Sequence, residues 1–162
     1  MAGLGRFNLR DLEKFRDKIQ RMGETETEAF IQACAKELAA RLLRKIIKRT
    51  DKVTVTGNLR RGWTGQTKTA AKTYAEQLQI QQEGDRYVIE IINPVEYAKY
   101  VEYGHRTVDH KKWVMGKFIM TISEQELKEQ APAILEKKIA KFLERAFPVS
   151  YTHLTLPTTE RV

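Results

Sequence analysis

The sequence predicts an α+β domain with two N-terminal helices, a small antiparallel sheet that contains a hairpin, a short capped helix and a long C-terminal helix. Three observations predict this class. Apolar residues recur at three- and four-residue steps towards both ends of the chain, as in amphipathic helices. In the middle, apolar and polar residues alternate around a Gly-Asp turn, as in a hairpin. An Asn-Pro pair then precedes a tyrosine-rich segment, as at many helix starts.

The first two helices are predicted from their apolar stripes. The first stripe consists of Phe7, Leu9, Leu12, Phe15, Ile19 and Met22. Gly23 is expected to end this helix as a left-handed cap, because glycine adopts positive φ at little cost. The second helix is expected from about Thr25 to Arg49, roughly six or seven turns at about 3.6 residues per turn.

The pattern of apolar residues changes from helical spacing to alternation after the second helix. Val53 and Val55 alternate with polar residues, which predicts a short strand. Residues 56–58 favour a turn or a helix start, and the glycine among them permits an unusual backbone angle. Residues 65–72 are polar and rich in threonine and lysine, so a mobile loop is expected there.

The clearest β signal is a predicted hairpin. Residues 74–81 alternate apolar side chains with glutamines, which predicts a half-buried strand. Gly84 and Asp85 supply a tight turn. Residues 86–92 are enriched in valine, isoleucine and tyrosine and are expected to form the return strand.

A short helix is predicted directly after the hairpin. Asn93 is a favoured N-cap, and Pro94 suits the first helical position. Glu96 stands where the acid of a capping box reaches back to the cap. Gly104 is expected to end this helix.

The last third of the chain predicts one more strand and the long final helix. Alternating apolar residues between positions 114 and 122 indicate the strand, with Gly116 as a candidate for a bulge. Residues 123–126 read SEQE, a capping box that opens the helix. The apolar face of that helix extends to Phe147, and Pro132 is expected to kink or split it.

One domain is predicted over residues 1–147, because a chain of 162 residues can bury one modest core. Residues 148–162 read PVSYTHLTLPTTERV, with two prolines and no helical period. They look like a non-native or disordered tail, and we assign them no function.

Composition excludes several classes of protein. The chain is 41% hydrophobic and 31% charged, which is typical of a globular domain. No apolar run approaches the roughly 18 residues of a membrane span, and the N-terminus lacks the apolar core of a secretory signal. Cys34 is the only cysteine, so a reducing compartment and a buried, inert thiol are expected.

The net charge of +8 leaves three kinds of partner open, namely nucleic acid, an acidic membrane surface and an acidic protein. The densest basic cluster lies within residues 41–52, at the end of a predicted helix that starts with Glu24, Glu26 and Glu28. The helix dipole favours acids first and bases last, so this cluster needs no ligand to explain it. A basic surface that faces DNA or an acidic partner remains an alternative.

No catalytic, cofactor or metal site is predicted. His105 and His110 share a polar loop, but two histidines without a further spaced pair of ligands are weak support for zinc. Glu102 beside His105 would allow acid–base chemistry, yet no nucleophile accompanies them. The sequence therefore predicts a protein that is not an enzyme.

Three tyrosines at positions 97, 100 and 103 drift around the predicted helix rather than forming one stripe. At least one is expected to pack in the core. The others combine an apolar ring with a polar hydroxyl, which suits a protein–protein interface.

Two segments stand out as motifs. Residues 55–63, VTGNLRRGW, resemble the D-T-G-x-L-R-x-S-W signature of a family of tailed-bacteriophage neck and minor-tail-component proteins, which act in tail completion and head–tail joining. Val55 replaces the usual acid, and Gly62 stands where a serine is common. Residues 93–105, NPVEYAKYVEYGH, resemble the N-x-x-x-Y-A-x-Y-V-E-x-G signature of the same family.

The arrangement around the motifs agrees with this resemblance. Both occur in the family's order with a hairpin between them, and Trp113 and Gly116 follow. The resemblance covers roughly residues 25–147. It implies a structural protein that completes the tail or the head–tail connection as an oligomeric, six-fold ring.

The resemblance also implies partners and a location. The partners would be other copies of the chain, head-closure, tail-terminator or tail-tube proteins, and non-specific DNA in the ring lumen, with no membrane. The protein would reside in the neck or tail of the virion, after assembly in the host cytoplasm.

The two motif segments are expected to lie close together, because the two strands of a hairpin are antiparallel and bring the residues before and after it near each other. They are also expected to form a subunit or partner interface. Arginine and aromatic residues supply much of the binding energy of interfaces. The predicted interface residues are Asn58, Arg60, Arg61, Trp63, Tyr97, Tyr100, Tyr103, His105 and Arg106. The alternative is that Trp63 and Tyr97 only pack the sheet against the helices.

Two other functions compete with the structural one. A basic nucleic-acid-binding module would show DNA binding that falls steeply with salt. A small hydrolase or nuclease would need a site that the sequence does not contain.

Overall fold

The computed structural model describes residues 23–53, 56–84 and 86–146, and it confirms the mixed α+β class. Among these residues, 23–31 and 136–146 belong to one compact unit and 32–135 to another, and each unit is described separately below. The predicted first helix, the end of the chain from Phe147 onwards and Val55 lie outside the described residues. The predicted limits of the single domain therefore stay a prediction.

The second predicted helix is confirmed as α1, Gly23–Thr50. Gly23 is the first residue of this helix, and the helix that it was expected to end lies outside the described residues. The apolar side of α1 supplies much of the core of residues 32–135, where Leu43 and Ile46 are fully buried. Ala39 and Ala40 are buried on the same helix, and such small side chains let other elements approach closely.

The strand predicted around Val53 is wrong in the described part. Val53 lies in a turn that continues from α1, where its N–H donates to the carbonyl of Thr50 at 3.0 Å. The expected turn or helix start at residues 56–58 is confirmed, because helix α2, Asn58–Gly62, begins there. Gly57 precedes α2 with φ of 71°, a left-handed conformation that suits glycine.

The strand predicted from residue 74 is wrong in its first part. Residues 71–77 form a helix instead, α3, Ala71–Gln77. The reason is visible in the spacing of Ala71, Tyr74, Ala75 and Leu78, which follows helical steps of three and four. Ala71 and Ala75 are buried against the core, and that burial decides for the helix. The loop expected over residues 65–72 is correspondingly shorter.

The hairpin is confirmed with shorter strands than predicted. Strand β1, Ile80–Glu83, pairs antiparallel with β2, Arg86–Ile89, in a register that places Ile80 opposite Ile89. Gly84 follows β1 with φ of 61°, as the predicted tight turn requires.

The short helix predicted after the hairpin begins later than expected. Helix α4 is Ala98–Tyr103, and its N-cap position is occupied by Tyr97, so Asn93 is not the cap. The Oδ1 atom of Asn93 instead accepts a hydrogen bond from the N–H of Val95 at 3.1 Å, which makes a local turn. Gly104 ends α4 as predicted, with φ of 88°.

The strand predicted over residues 114–122 is also mostly wrong. Strand β3, Gly104–Arg106, pairs antiparallel with β4, Trp113–Met115, as a second, separate sheet. Gly116 lies just beyond β4 rather than in a bulge, and the long helix α5, Ile119–Ala146, starts soon after it. Ile119, Ser123 and Leu127 are buried at steps of four, a helical spacing that the apparent alternation masked.

The capping box predicted at residues 123–126 is wrong as well. Ser123 lies in the second turn of α5, fully buried, and its hydroxyl has no hydrogen-bond partner among the described residues. Pro132 is inside α5 and does not split it.

The smaller unit contains the start of α1 and the end of α5. The rings of Phe30 and Phe142 stack there with 4.3 Å between centroids. Ile139 and Leu143 remain exposed among the described residues of this unit.

Candidate functional site

The first motif contacts the beginning of the second motif. Asn93 donates from Nδ2 to the carbonyl oxygen of Leu59 at 2.8 Å, and Leu59 is buried in α2. A Cβ atom on Gly62 would lie 2.1 Å from Oδ1 of Asn93 and 2.8 Å from Cγ2 of Val95. The family signature has serine at this position. Here glycine leaves the space into which residues 93–95 pack.

Trp63 is part of the core and not of an exposed interface. Its side chain is 7% exposed, and its indole Nε1 donates to the Oγ1 atom of Thr50 at 3.1 Å. The hydroxyl of Thr50 donates in turn to the carbonyl of Ile46 at 2.8 Å. Trp63 thus anchors the first motif to the end of α1, which agrees with the packing alternative for this residue and argues against its place in the predicted interface.

The two arginines of the first motif are half-buried, and each makes a contact with one polar side chain. Arg60 makes an ion pair with Asp51, at 3.4 Å between Nε and Oδ1. The guanidinium of Arg61 donates to the side-chain oxygen of Asn58. Asn58 is exposed and serves here to orient Arg61, so these three residues form one polar surface on α2.

The tyrosines of the second motif face outwards. Tyr97, Tyr100 and Tyr103 are 39%, 48% and 64% exposed, respectively. Val101, on the other side of α4, packs against the core and holds the helix in place. None of the three tyrosines is buried, so the expectation that at least one packs in the core is wrong.

His105 and Arg106 extend this aromatic surface onto β3, and both are exposed. The rings of Tyr100 and His105 are 5.9 Å apart, and the Nζ atom of Lys99 lies 5.2 Å from the centroid of the Tyr100 ring. A cation near an aromatic face is weakly attracted to it, so these side chains help to order one another.

Glu102 has a role that the sequence did not reveal. Its buried carboxylate accepts hydrogen bonds from the N–H groups of Met120 and Thr121, at 2.9 and 2.8 Å, and from the Thr121 hydroxyl at 2.7 Å. The first N–H groups of a helix lack partners within it, and a negative charge is favourable beside them. Glu102 therefore caps α5, in the place that the sequence assigned to Ser123.

The chain crosses itself closely between α4 and α5. Lys117 and Phe118 donate from their N–H groups to the carbonyls of Val101 and Glu102, at 2.7 and 3.1 Å. The crossing needs glycine at position 116, because a Cβ atom there would lie 2.2 Å from the carbonyl oxygen of Glu102. Phe118 has φ of 49°, a conformation that non-glycine residues seldom adopt.

Strand β4 carries exposed apolar residues that were missing from the predicted interface. Trp113, Val114 and Met115 are 59%, 42% and 69% exposed. Val114 lies opposite His105 in the sheet, and Trp113 lies opposite Arg106. The alternation in this segment predicted a strand but did not indicate which of its side chains are exposed.

The loop between β3 and β4 is organised by Thr107. The N–H of Thr107 donates to the carbonyl of Lys112 at 2.9 Å, and its hydroxyl accepts from the N–H of Lys112 at 3.1 Å. The Thr107 hydroxyl also donates to Asp109, and this bond, together with one from the N–H of Lys111, holds the pKa of the Asp109 carboxyl below its usual value. The loop therefore has a defined shape.

Half of the bases in the cluster at the end of α1 are paired with acids. Arg49 and Lys45 both contact Glu126 on α5, and the side chains of Arg49 and then Lys45 hold the pKa of Glu126 below its usual value. Arg41 pairs with Glu37 one turn away, at 2.8 Å. These contacts support a structural interpretation of the cluster rather than one that requires DNA.

Neither a metal centre nor a membrane span is found in the part of the chain that the structure describes. Its histidines, cysteines and acids form no group of three or more that could hold a metal ion. No helix within the same ranges is long and apolar enough to cross a membrane.

Comparisons with known proteins agree with the motif analysis. Residues 13–104 match the family described as "Bacteriophage HK97-gp10, putative tail-component". This range is more than half of the 162-residue chain and includes the first motif and all but the last residue of the second. Searches of curated proteins and of solved structures found no match.

Proposed function

Because the chain belongs to the bacteriophage HK97-gp10-like family of tail components, we propose that it completes the tail, or the connection between head and tail, as an oligomeric ring. A structural role in the phage tail follows from the family itself. The observation that supports a ring is the outward-facing aromatic surface of the second motif, which lies within the matched range up to Gly104. Tyrosine combines a large apolar ring with a polar hydroxyl and is enriched at protein interfaces.

The ring is proposed to be six-fold, to reside in the neck or tail of the virion, and to assemble in the host cytoplasm. Its partners would be its own copies and neighbouring head-closure, tail-terminator or tail-tube proteins. DNA passing through the lumen would meet the ring without sequence-specific contacts. This role is mechanical and requires no bound cofactor.

The proposal predicts where the protein is found in particles. A three-dimensional reconstruction of the phage neck should place the chain as a closed ring on the tail axis. Phage that lack the gene should accumulate unjoined heads and tails, and a wild-type copy supplied in trans should restore joined particles. A chain located away from the axis, or absent from purified tails, would contradict the proposal.

A second prediction concerns the polar surface on α2. The double variant Arg60→Glu/Arg61→Glu should fold with stability within about 1 kcal/mol of wild type, because the Arg60–Asp51 ion pair is partly exposed to solvent and such pairs contribute little. We expect it nevertheless to reduce the yield of joined particles strongly, since reversed charges at a partner contact cost several kcal/mol. Urea denaturation and counts of joined and unjoined particles measure the two effects.

The matched control reverses two exposed bases on α1, Arg44→Glu/Lys48→Glu. Normal phage yield from the α2 variant would show that Arg60 and Arg61 belong to a solvated surface. A loss of yield in the α1 control alone would instead favour the nucleic-acid-binding alternative.

A further inference from the structure

Two surfaces of residues 32–135 are formed by chain segments of opposite net charge. The first, the basic aromatic surface, is formed by α4, β3, β4 and the loop between the strands. Its members are Tyr103, Arg106, Lys111, Lys112, Trp113 and Met115, all of them exposed. Residues 97–117 carry five basic and two acidic side chains, a net charge of +3. Both acids are engaged, because Glu102 caps α5 and Asp109 is bonded within its loop.

The second surface, the acidic groove, lies between α3 and the β1–β2 hairpin. It has a volume of about 230 Å³, and its lining comprises four apolar or aromatic side chains, two glutamines and one acid, Glu90. Residues 71–96 carry five acidic and two basic side chains, a net charge of −3. Pockets for small molecules usually measure about 300–1,000 Å³, so this groove is better suited to one or two protein side chains.

The two surfaces are independent of each other within one chain. The acidic groove uses the β1–β2 sheet, and the basic aromatic surface uses the separate β3–β4 sheet. A ring requires two different, mutually complementary surfaces on each subunit, because its contacts are head-to-tail. The segments that form the two surfaces carry net charges of +3 and −3, and this opposite charge meets the requirement of complementarity.

We propose that the basic aromatic surface of one copy docks into the acidic groove of a second copy, and that this contact forms the subunit interface of the ring. The inference rests on the proposed function and names the surfaces that would carry it. Trp113 and Met115 supply apolar area for the groove. Lys111 and Lys112 lie on the ordered loop, while Glu90 lines the groove and Glu83 is exposed at the end of β1, so docking would bring opposite charges together. Because Thr107 already organises the loop, little conformational entropy is lost on docking.

Nucleic acid is the other class of partner that bases beside aromatic rings can bind. The chain itself favours a protein partner, because it presents an acidic apolar groove that nucleic acid cannot use. The test therefore measures self-association and DNA binding on the same variants.

The experiment uses charge reversal on each surface of the full chain. One variant is Lys111→Glu/Lys112→Glu, which makes both surfaces acidic. The other is Glu83→Lys/Glu90→Lys, which makes both surfaces basic. Self-association of each purified protein is followed by sedimentation up to about 1 mM, with circular dichroism and urea denaturation as checks of folding.

Wild type should associate, and more weakly at high salt, because screening reduces the attraction. Each variant alone should associate at least about tenfold more weakly, since like charges then meet across the contact. An equimolar mixture of the two variants should regain association, because every contact again joins opposite charges. The control variant Lys137→Glu/Lys141→Glu, with the same charge change at exposed positions of α5, should behave as wild type.

Three outcomes would overturn the inference. They are a wild-type chain that stays monomeric up to about 1 mM, folded variants that associate normally, and a mixture that fails to recover. Loss of DNA binding without loss of self-association in the Lys111→Glu/Lys112→Glu variant would assign the basic aromatic surface to nucleic acid. If both variants still formed a ring in the phage neck, the proposed interface would be wrong and the proposed function would stand. A chain absent from the tail would refute the function, while sedimentation would still report on the surfaces.

Discussion

Substituting Gly116 with alanine is expected to destabilise residues 32–135 by about 3 kcal/mol, the largest effect of any single methyl group that we predict. The added Cβ atom would lie 2.2 Å from the carbonyl oxygen of Glu102, 2.6 Å from the carbonyl carbon of Tyr103 and 2.7 Å from the nitrogen of Gly104. All three are backbone atoms, so no side chain can rotate away. The crossing would have to open, which would weaken the hydrogen bonds that Lys117 and Phe118 donate. The shift of the urea midpoint measures the loss.

Gly84→Ala is the matched control for this variant. Gly84 has φ of 61°, but an added Cβ atom would meet nothing within 4 Å. Its cost should be only that of the left-handed conformation, about 1 kcal/mol. Equal stability of the Gly116→Ala variant and wild type would show that the crossing is looser than the structure indicates.

Replacing Glu102 with alanine is expected to cost about 2 kcal/mol, because two backbone N–H groups and one hydroxyl at the start of α5 lose their shared acceptor. Glu102→Gln should cost less, since the amide keeps one oxygen that can still accept. Helix content from circular dichroism and the urea midpoint should both fall in the order wild type, glutamine variant, alanine variant.

Glu124→Ala is the control for the Glu102 variants, because it removes an exposed acid near the start of the same helix. Exposed substitutions usually change stability by no more than about 0.5 kcal/mol. If the two alanine variants were equally stable, Glu102 would not be the cap of α5. If Glu102→Gln were as stable as wild type while Glu102→Ala was not, the shape and hydrogen bonding of the side chain would matter more than its charge.

The role of Glu102 and the packing of Gly104 explain part of the second motif in physical terms. Glu102 caps a helix that begins 17 residues later, and Gly104 lets β4 approach closely, because a Cβ atom there would lie 2.4 Å from the carbonyl oxygen of Val114. Asn93, at its other end, ties the motif to the first one through Leu59. The motif therefore holds three elements together on its inner side, while its tyrosines remain available on the outer side.

The exposed surface was only partly predictable from sequence. The tyrosines, His105 and Arg106 were named from their residue types, and they are exposed. Trp63 was named for the same reason but is buried, because the hydroxyl of Thr50 offers its indole N–H a partner inside the core. Trp113 and Met115 were missed, because an alternating apolar segment is compatible with either a buried or an exposed strand.

Local signals by themselves determined the α+β class, the long helix α1, the turn at Gly84, the end of α4 at Gly104 and the resemblance to phage tail proteins. Each depends on neighbouring residues, such as a long helical period or a glycine with positive φ. Only the tertiary structure decided that α3 is a helix and that α5 begins at Ile119. Short apolar segments fit both helical and strand periods, and the cap that starts α5 comes from Glu102, a residue distant in sequence that only folding brings into contact.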